Sequence, residues 1–488
     1  MSKTGKYVPL ERIDEYSWRI PEKYKEGMLV PGRVYADDEL IERIKSDRTL
    51  DQCANVAHLP GIYKYAITLP DGHEGYGFPI GGVAATDYEE GVLSPGGVGY
   101  DINCGVRVLA TNLTEDDIRP RLRELGEALF NNVPSGLGSK RKKFRLSKRE
   151  LESLVTEGVP WLVERDMGWK EDIEHCEENG HVEGADPEKL SDTAKERGLA
   201  QVGTLGSGNH FLEVQKVHKI LDAETAKAFG INQEGQVTIM IHTGSRGFGH
   251  QVCSDYLRIM ERAVRKYDIA LPDRELACTP GTSKEGEDYF KAMACAVNYA
   301  FSNRQAITHW VRESFEQVFH KPAETFGLDL IYGVAHNIAK IEEHDVNGKG
   351  RKVWIHRKGA TRAFGPGHDK IPADYRSTGQ PVFIPGSMGS SSWIMAGKAK
   401  SMQLTFGSTA HGAGRVMSRS AAKRQFWGGD IKEKLEKRGM VVRSASQVVL
   451  AEEAAGAYKD VDRVAEVSHN LGIASKVVRL VPLAVVKG

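Results

Sequence analysis

The sequence has few cysteines and no pattern that pairs them. Six cysteines are spread at irregular intervals over 488 residues, and no two form a C-x-x-C interval. Such spacing argues against a disulfide framework and is typical of proteins kept in a reducing compartment. The six are Cys53, Cys104, Cys176, Cys253, Cys278 and Cys295.

Long apolar runs are also absent. The first residues, MSKTGKYVPLERIDEYSWRIPEKY, contain no hydrophobic segment of the kind found in signal peptides. No later stretch of about eighteen uncharged apolar residues could span a bilayer. These absences predict a soluble, cytoplasmic protein that does not enter a membrane.

Neither sign of charge is in excess, because 66 lysines and arginines balance 66 aspartates and glutamates. A global positive field that attracts nucleic acid is therefore excluded, and any such affinity must come from local basic patches. One basic run, residues 140–149, could contact a phosphate backbone. A solvated charged surface is the more common role of such a run.

Short strand-like stretches and helical periodicity share the chain. Residues 60–112 are rich in glycine and short apolar runs, and the segments 210–217 and 236–242 read as strands. We predict an α+β fold with a single large core of short β-strands and helical insertions. Residues 1–488 are expected to form one catalytic domain, with a helical, partly basic insertion at about 134–198 and a helical pair at about 251–320.

The last third of the chain contains several short β-type runs that end in loops. They include LIYGVAH, KVWIH, PVFIP and SMQLTF, the last at residues 401–406. A final helix is expected to begin near Gly412, and the strand-like VRLVPLAVV closes the chain.

The stretch SPGGVGYDINCGVR holds a carboxylate and a thiol three residues apart, at Asp101 and Cys104. Its glycines allow tight turns that can bring the two side chains together. Such a pair suits zinc or manganese better than calcium or magnesium. The alternative is a glycine turn beside a buried free thiol, a common environment for single cysteines.

Four histidines, His210, His242, His336 and His411, each lie near the end of an apolar run beside small residues. Because binding residues gather where strands end, these four could converge with Asp101 and Cys104. Any one of them could instead be an ordinary core histidine. His250, His344 and His356 lie in loops or charged stretches and suggest no special role.

His411 differs from the other three because it stands in GSTAHGAGR, just before the expected helix. Ser408 and Thr409 are candidate caps, and the bare amides of Gly412 and Gly414 could approach a phosphate. A neutral imidazole placed there is a competent nucleophile. Arg415 and Arg419 would share one helical face and neutralise the charge. Ser387 and Ser392 in PGSMGSSSW offer a second anion-binding or base-contacting loop, and the alternative for both loops is capping and turn chemistry.

Further basic residues occur in the loops: Arg246 in TGSRG, and Arg357, Lys358 and Arg362 in HRKGATRA. Together with the glycine loops they indicate a phosphate-rich substrate. The residues alone therefore predict a metal-assisted phosphoryl or nucleotidyl transfer enzyme with a histidine nucleophile, and they leave its substrate open.

Long ordered motifs add what the residue types cannot. The chain from about residue 30 to residue 488 resembles the RtcB family of GTP-dependent RNA ligases, and its archaeal-type members most. The motifs that carry this resemblance are DINCGVR, GSGNHFLE, HTGSRGFGHQ, AHNIAK, HRKGATRA, PGSMG, FGSTAHGAGR and VVKG.

The resemblance implies an enzyme that joins an RNA end with a 2′,3′-cyclic phosphate or 3′-phosphate to a 5′-hydroxyl end, as in tRNA splicing and RNA repair. It implies two manganese ions held by Asp101, Cys104, His210, His242 and His336, with Cys104 bridging both. It implies that His411 takes up GMP from GTP before the RNA is activated. Spliced tRNA halves would be the substrates, and an activating partner of the archease type is a further expectation.

The resemblance also implies further roles for residues in the same motifs. GTP contacts fall to Asn209, His210, Phe211, Leu212, Glu213, His336, Asn337, Pro385, Gly386, Ser387, Met388, Ser392, Gly412, Ala413, Gly414, Tyr458 and Lys487. RNA phosphate contacts fall to Arg246, Lys358, Arg415 and Arg419.

Two other functions remain open on the sequence. A metal-dependent cyclic phosphodiesterase would use the same metal ligands without a covalent guanylate on His411. An RNA-binding module with a structural metal would turn over nothing, and removal of its metal would unfold it or abolish RNA binding.

Overall fold

The computed structural model describes residues 7–140 and 144–488. Arg141, Lys142 and Lys143 of the basic run lie outside the described residues, as do residues 1–6. Among the residues described, no helix combines the length and the apolar character needed to cross a membrane.

Nineteen strands are present in the described part of the chain, and several of the longer ones are buried over most of their length. Their bounds are β1 Glu11–Arg12, β2 Ser17–Ile20, β3 Gly32–Tyr35, β4 Ala66–His73, β5 Ile80–Asp87, β6 Val92–Leu93, β7 Gly105–Thr114, β8 Phe211–Ile220, β9 Gln236–Thr243, β10 Thr279–Pro280, β11 Gly327–Ala335, β12 Asn337–Val346, β13 Lys349–Lys358, β14 Ala360–Arg362, β15 Pro381–Ile384, β16 Ser392–Gly397, β17 Ser408–Ala410, β18 Val441–Ser444 and β19 Ala474–Lys487.

The same residues form sixteen α-helices, several of them begun by a Ser or Asp cap. Their bounds are α1 Asp38–Ile44, α2 Thr49–Val56, α3 Glu115–Ile118, α4 Leu122–Asn132, α5 Lys148–Glu157, α6 Val159–Val163, α7 Glu171–Glu174, α8 Asp192–Gly198, α9 Ala223–Ala228, α10 Arg246–Lys266, α11 Lys284–Phe319, α12 Lys400–Thr405, α13 Arg419–Gln425, α14 Gly428–Lys437, α15 Gln447–Glu452 and α16 Val461–Leu471.

The larger sheet holds eight strands. Seven follow the order β11-β7-β9-β8-β19-β16-β15, all paired antiparallel, and β18 pairs with β19 in parallel. Strand β9, QVTIMIHT, is buried at every position, as expected for a β-branched central strand. Within the sheet, His242 of β9 pairs with Val106 of β7 on one side and with Phe211 of β8 on the other. The end of β9 therefore lies beside the starts of β7 and β8.

A second sheet has seven strands in the order β1-β2-β3-β4-β5-β13-β12. Strand β4 carries Asp71, and β13 ends at Lys358. A short ladder of β14 with β17 follows, so that residues 360–362 pair with residues 408–410, just before His411.

Each sheet covers its own apolar cluster. The largest cluster lies between β7, β8 and β9 and the helices α4, α5, α10 and α11, and a second packs the seven-stranded sheet against α1, α2 and α16. The apolar residues Met293, Val297, Phe301 and Val311 of α11 are fully buried. The mixture of strands and helices confirms the α+β prediction.

Two local predictions were wrong. The run SMQLTF forms helix α12 and not a strand, because its buried pair is Ser401 and Thr405, four residues apart and therefore on one helical face. Their hydroxyls donate to the carbonyls of Ala363 and Ser408 at 2.6 Å, so the buried face is polar. The alternation of apolar residues was a misleading signal there.

The helix expected near Gly412 begins instead at Arg419, with Ser418 as its cap. The intervening backbone bonds to other segments: the Ala413 N–H donates to the Pro385 carbonyl at 3.1 Å, and the Gly414 carbonyl accepts from Lys459 at 2.9 Å. Ser408 and Thr409 belong to β17, so they cap no helix, and Arg415 does not share a helical face with Arg419.

Candidate active site

The turn from Asp101 to Cys104 is closed by hydrogen bonds. Asn103 adopts a left-handed conformation with φ 52°, and the Cys104 N–H donates to the Asp101 carbonyl at 2.9 Å. Arg304 of α11 is completely buried and donates to the backbone and side-chain oxygens of Asn103 at 2.7 and 2.8 Å. The same guanidinium donates to the Thr243 carbonyl, so one arginine ties the turn to the end of β9.

Two glycines make room for this turn. A Cβ on Gly105 would lie 2.0 Å from the Val334 carbonyl oxygen of the neighbouring strand. A Cβ on Gly244 would lie 2.5 Å from the Asp101 carboxylate. Both distances are far below a van der Waals contact, so the close approach of strands and carboxylate requires glycine at these positions.

Antiparallel pairing brings the predicted donors together. His210 and Cys104 each precede the first residue of a strand, His242 is the last residue but one of β9, and His336 follows the last residue of β11. In an antiparallel pair one strand starts where its neighbour ends. All four residues therefore lie at the same end of the strands of the eight-stranded sheet. We call Asp101, Cys104, His210, His242 and His336 the donor cluster.

Distances within the donor cluster are short. The Cys104 Sγ lies 3.5 Å from His210 Nε2 and 3.3 Å from His242 Nε2. His242 Nε2 is 3.2 Å from His336 Nε2. The ligand atoms form two triplets, each within 4.8 Å and both including Cys104: Asp101 with Cys104 and His210, and Cys104 with His242 and His336. Thiol, imidazole and carboxylate donors that converge in this way fit a pair of borderline divalent cations.

The protonation of the donor cluster also suits cations. Burial and the charge of His210 lower the pKa of His242 well below its usual value, and burial and the charge of His411 do the same for His336. Burial alone would raise the pKa of Asp101, but the hydrogen bond from His210 lowers it. Burial and Asp101 raise the pKa of the Cys104 thiol, so a bound cation is needed to hold the thiolate at neutral pH.

The histidine rings of the donor cluster are held in two ways. His210 Nδ1 lies 3.0 Å from the Leu205 carbonyl, which orients the ring so that Nε2 faces the Asp101 carboxylate at 2.8 Å, among the atoms that would hold a cation. His242 packs edge-on against Phe211 with ring centroids 5.3 Å apart. Among the described residues, the Nδ1 atoms of His242 and His336 have no hydrogen-bond partner.

His411 lies next to the donor cluster, with its ring centroid 4.9 Å from that of His336. Its Nδ1 is 2.5 Å from the Asp71 carboxylate, which also accepts from the His411 backbone N–H at 2.9 Å. Burial alone would raise the pKa of Asp71, but the charge and hydrogen bonds of His411 lower it, so Asp71 stays a carboxylate. In the neutral form of the ring this contact keeps the proton on Nδ1, so that Nε2 of His411 carries the lone pair.

A single cavity of about 740 Å³ connects His411 and the donor cluster to most of the other predicted residues. Leu212 and Ser392 are the exceptions. Leu212 belongs to the largest apolar cluster, on the face of β8 that is turned away from the cavity. Ser392 lies behind the residues that line the cavity, and its Oγ accepts from the N–H of one of them, Gly386, at 3.1 Å. The predicted residues that line the cavity are Asp101, Cys104, Asn209, His210, Phe211, Glu213, His242, Arg246, His336, Asn337, Lys358, Pro385, Gly386, Ser387, Met388, His411, Gly412, Ala413, Gly414, Arg415, Arg419, Tyr458 and Lys487.

A network of charged and polar side chains lies at one end of the cavity, which we call the C-terminal end. Its members are Glu213, Arg415, Glu453, Tyr458 and Lys487. The Glu453 carboxylate lies 3.1 Å from Arg415 Nη1 and 3.8 Å from Lys487 Nζ. Arg415 also donates to the Tyr458 hydroxyl at 2.8 Å. Lys487 is 3% exposed at the end of β19, so a residue next to the C-terminus is firmly placed.

The two carboxylates of the C-terminal end differ in protonation. Burial raises the pKa of Glu213 to about 7, because Gln215 and Lys487 compensate for its lost hydration only in part. Burial would also raise the pKa of Glu453, but the charges of Lys487 and Arg415 lower it below its usual value. Of the two carboxylates, Glu213 is therefore the one that is partly protonated at physiological pH.

The remaining predicted cations have different surroundings. Arg246 begins α10 and is 8% exposed, with its Nε donating to the Thr204 hydroxyl at 3.3 Å. Lys358 donates to the carbonyls of Tyr76 and Gly96, and burial lowers its pKa to about 8. Arg419 remains exposed on α13, 3.7 Å from Glu453.

Reasoning from the sequence missed Asp71, Glu453 and Arg304. Asp71 lies near the end of β4, in the glycine-rich stretch PDGHEGYG, whose turn residues were a signal, but its pairing with a residue 340 positions away was not visible. Arg304 is a charged residue on a largely apolar helix, which is a usable signal of a buried polar contact. No local pattern marks Glu453.

Comparison with known proteins finds relatives over nearly the whole chain. The family model described as tRNA-splicing ligase RtcB matches residues 52–488. A tRNA-splicing ligase RtcB of Thermococcus kodakarensis is 60% identical over 481 residues, which cover 99% of this chain and 99% of the relative. Proteins of the same name from Pyrobaculum aerophilum and Methanococcus maripaludis are 59% and 57% identical, and the matches cover 99% and 98% of this chain and 99% of each relative.

Proposed function

The chain belongs to the RtcB family of tRNA-splicing ligases, and we propose that it joins RNA ends in a reaction that consumes GTP and depends on manganese. Membership in the family makes it an RNA ligase of tRNA splicing. The finer proposal concerns the end chemistry: a 2′,3′-cyclic phosphate or 3′-phosphate on one RNA and a 5′-hydroxyl on the other.

The observation that carries this proposal is the position of His411. Its ring contacts His336 of the donor cluster, and Asp71 holds the proton on Nδ1. A nucleophilic imidazole needs its attacking nitrogen unprotonated and next to charge-neutralising groups. Nε2 of His411 meets both needs.

The donor set fits two manganese ions. Asp101, Cys104 and His210 would hold one, and Cys104, His242 and His336 the other, with the Cys104 thiolate shared. When bound, such cations neutralise the negative charge that develops on phosphate oxygens during phosphoryl transfer.

The proposed reaction has three transfers. Nε2 of His411 attacks the α-phosphorus of GTP, so that a P–N bond forms and the bond to pyrophosphate breaks. An oxygen of the RNA 3′-phosphate then takes the guanylyl group, which frees His411. The 5′-hydroxyl oxygen of the second RNA attacks the activated 3′-phosphate, loses its proton, and GMP leaves. A cyclic phosphate is first opened to the 3′-phosphate by water.

The C-terminal end of the cavity would bind the guanine. The Glu213 carboxylate can accept from the N–H donors of the guanine edge, and Tyr458 and Lys487 lie beside it in the same wall. The proposed GTP contacts also include the backbone around Asn209 and Phe211, the loop at 385–388, and Gly412 to Gly414. Leu212 and Ser392 would act by supporting this wall.

Arg246, Lys358, Arg415 and Arg419 would neutralise RNA phosphates along the rest of the cavity. In this proposal residues 1–488 act as one catalytic domain, because the cavity takes residues from β4 through β19. The proposed location of the protein is the cytoplasm. The helices between 134 and 198 and the pair α10 and α11 are insertions into that domain. Ligation of tRNA halves, measured with and without an archease-type protein, would show whether such an activator is required.

A labelling experiment tests the proposal. The protein is incubated with α-labelled GTP and manganese, and an acid-labile, alkali-stable guanylate on the protein is expected. The adduct should vanish in His411→Ala and fall strongly in Asp71→Asn. Equal labelling of the His411→Ala protein would refute the role of His411.

The cyclic phosphodiesterase alternative makes the opposite prediction. Such an enzyme would open cyclic phosphates without GTP, and His411→Ala would keep that activity at the wild-type rate. Ligation that requires both GTP and His411 would exclude it.

A further inference from the structure

Asp71 stands in an irregular part of strand β4. The pairing of β4 with β5 shifts between Thr68 and His73, so that four residues of β4 oppose a single residue of β5. The pairing of β4 with β3 ends at Thr68 as well. A bulge of this kind re-aims a side chain, and its main-chain carbonyls need partners from outside the ladder. We call residues 69–72 the β4 bulge.

Lys459 supplies such partners. It lies two residues before α16 and is 7% exposed. Its Nζ donates to the Gly72 carbonyl and lies 3.5 Å from the Pro70 carbonyl oxygen, so it contacts the peptide groups on both sides of Asp71. The Asp71 carboxylate uses Oδ2 for His411, and among the described residues its buried Oδ1 has no hydrogen-bond partner. The ammonium group therefore fixes the backbone from which this carboxylate projects.

The main chain of Lys459 binds the loop that follows His411. Its N–H donates to the Gly414 carbonyl at 2.9 Å. Gly414 has φ 71°, and a Cβ at this position would lie 2.2 Å from the Asp71 carbonyl oxygen. The loop and the β4 bulge are therefore in direct contact, and one residue is hydrogen-bonded to both.

The charges of Lys459 and Asp71 attract each other. Burial lowers the pKa of Lys459 to about 8, and the charge of Asp71 opposes this lowering. Burial would raise the pKa of Asp71, but His411 lowers it, and the charge of Lys459 acts in the same direction. Lys459 is not among the described residues that line the cavity, so it affects the reaction only through its neighbours.

We propose that Lys459 is a positioning residue for the transfer of GMP to His411, whose ammonium group holds the β4 bulge so that the Asp71 carboxylate meets His411 Nδ1. The inference rests on the proposed function, because it presumes that Nε2 of His411 attacks GTP. A catalytic group displaced by about 1 Å can lose roughly a hundredfold in rate. Loss of Lys459 should therefore slow the transfer at saturating GTP and leave the affinity for GTP unchanged.

Single-turnover guanylylation with α-labelled GTP and manganese, without RNA, measures this split. Lys459→Met keeps the length of the side chain and removes its charge and its N–H donors. It should slow the reaction by roughly tenfold to a hundredfold at saturating GTP. The half-saturating concentration of GTP and the manganese content should stay at their wild-type values. Lys459→Gln leaves a neutral N–H donor near the same carbonyls and should give the same split with a smaller loss.

Lys25→Met is the matched control. Lys25 is 24% exposed in its side chain and donates to Asp51 and Asn55 of α2, away from the cavity. Its removal should lower the temperature of unfolding and leave the rate of guanylylation unchanged. Thermal unfolding of every variant identifies a loss of rate that follows from unfolding. Equal rates in Lys459→Met and Lys25→Met would overturn the proposal.

A double-mutant cycle with Asp71→Asn separates positioning from general support of the fold. Two residues that act through one group have effects that do not add. Lys459→Met should therefore slow the wild-type protein but should not slow the Asp71→Asn protein any further. An equal loss in both backgrounds, or a loss that appears in the half-saturating concentration of GTP, would overturn the role of Lys459.

The hydrogen bond between His411 and Asp71 gives a readout that needs no GTP. A proton in a short imidazole–carboxylate hydrogen bond resonates far downfield in the proton NMR spectrum. This signal should be present in the wild type, absent in His411→Ala, and shifted or lost in Lys459→Met. A wild-type protein that shows the signal and forms no guanylate refutes the proposed function alone. An unchanged signal with normal guanylylation in Lys459→Met refutes the positioning role alone.

Discussion

The donor cluster and the C-terminal end of the cavity hold their functional groups by different forces. The donor cluster sits at the ends of strands β7, β8, β9 and β11, so main-chain pairing sets its positions. The C-terminal end is held by ion pairs between side chains that come from β19, the residue just after α15 and a loop. A side-chain change in the donor cluster should therefore lower the activity and leave the fold intact. A change in the C-terminal end should lower the stability of the fold as well as the activity.

The largest expected effect comes from Cys104→Ala. Both triplets lose their shared donor, so manganese binding and ligation should fall together, ligation by roughly a thousandfold or more, since bound cations supply several kcal/mol of charge stabilisation. The fold should persist, because strand pairing does not involve the thiol. Metal content, ligation rate and thermal unfolding are the measurements.

Cys278→Ala is the matched control for this change, because Cys278 is fully buried in the other large apolar cluster. It should cost some stability and leave ligation intact. Normal manganese content in Cys104→Ala would contradict the shared-donor arrangement.

Asp71→Asn is expected to have the next largest effect. An asparagine can offer its N–H₂ to Nδ1 and so favour the tautomer that protonates Nε2. Guanylylation should slow by roughly a hundredfold to a thousandfold, by analogy with the loss seen when other histidine nucleophile or base partners are changed. Manganese binding should be unchanged, and a wild-type rate of guanylylation would contradict the role of Asp71.

Glu453→Gln tests the charge network directly. It leaves the buried cation Lys487 and the partly buried Arg415 without their carboxylate, which should cost about 3 kcal/mol of unfolding free energy. The KM for GTP should rise while manganese binding is unaffected. Denaturant unfolding and initial ligation rates measure the two effects.

A surface pair gives the comparison for this variant. Glu127 pairs with Arg443 at 2.6 Å but is 52% exposed, so Glu127→Gln should cost less than about 1 kcal/mol. Equal losses in the two variants would show that burial does not distinguish the C-terminal end.

The pH dependence of stability should single out Glu213. Its folded pKa of about 7 lies above the ordinary glutamate value, so its contribution is fully present below that ordinary value and is lost as pH rises through 7. Glu213→Gln should therefore be close to neutral at pH 5 and stabilise the protein by about 2 kcal/mol at pH 8. Denaturant titrations at both pH values, without GTP, measure this; a pH-independent difference would contradict the assignment.

The smallest effect concerns the start of α13. Ser418→Ala removes the cap at Ala421 N–H and should cost about 1 kcal/mol, whereas a substitution at Thr409 should produce no capping effect. Thermal unfolding of the two variants distinguishes a helix that begins at Arg419 from one that begins near Gly412.

These cases show which features local sequence can predict. Strand-end histidines and the Asp101–Cys104 turn stand beside glycines in apolar runs, so the residues could be named from the sequence, while their convergence was only one of two interpretations. Helix α12 could not be predicted in this way, because its buried face is made of Ser401 and Thr405. Their hydroxyls donate to carbonyls that lie outside the SMQLTF segment. Periodicity of apolar residues carries no information about a polar buried face.

Pairings across long separations were beyond the reach of sequence patterns. Asp71 of β4 meets His411, which follows β17, and Glu453, just after α15, meets Lys487 at the end of β19. The start of α13 was misplaced for the same reason, because the bonds that keep residues 412–416 out of a helix come from Pro385, Ala457 and Lys459.

X-ray diffraction at the manganese absorption edge, from crystals grown with manganese, tests the shared-thiolate site most directly. Two anomalous peaks are expected, both within bonding distance of Cys104 Sγ, one beside Asp101 and His210 and the other beside His242 and His336. A single peak, or two peaks of which one does not contact Cys104, would contradict the shared-thiolate site beside His411.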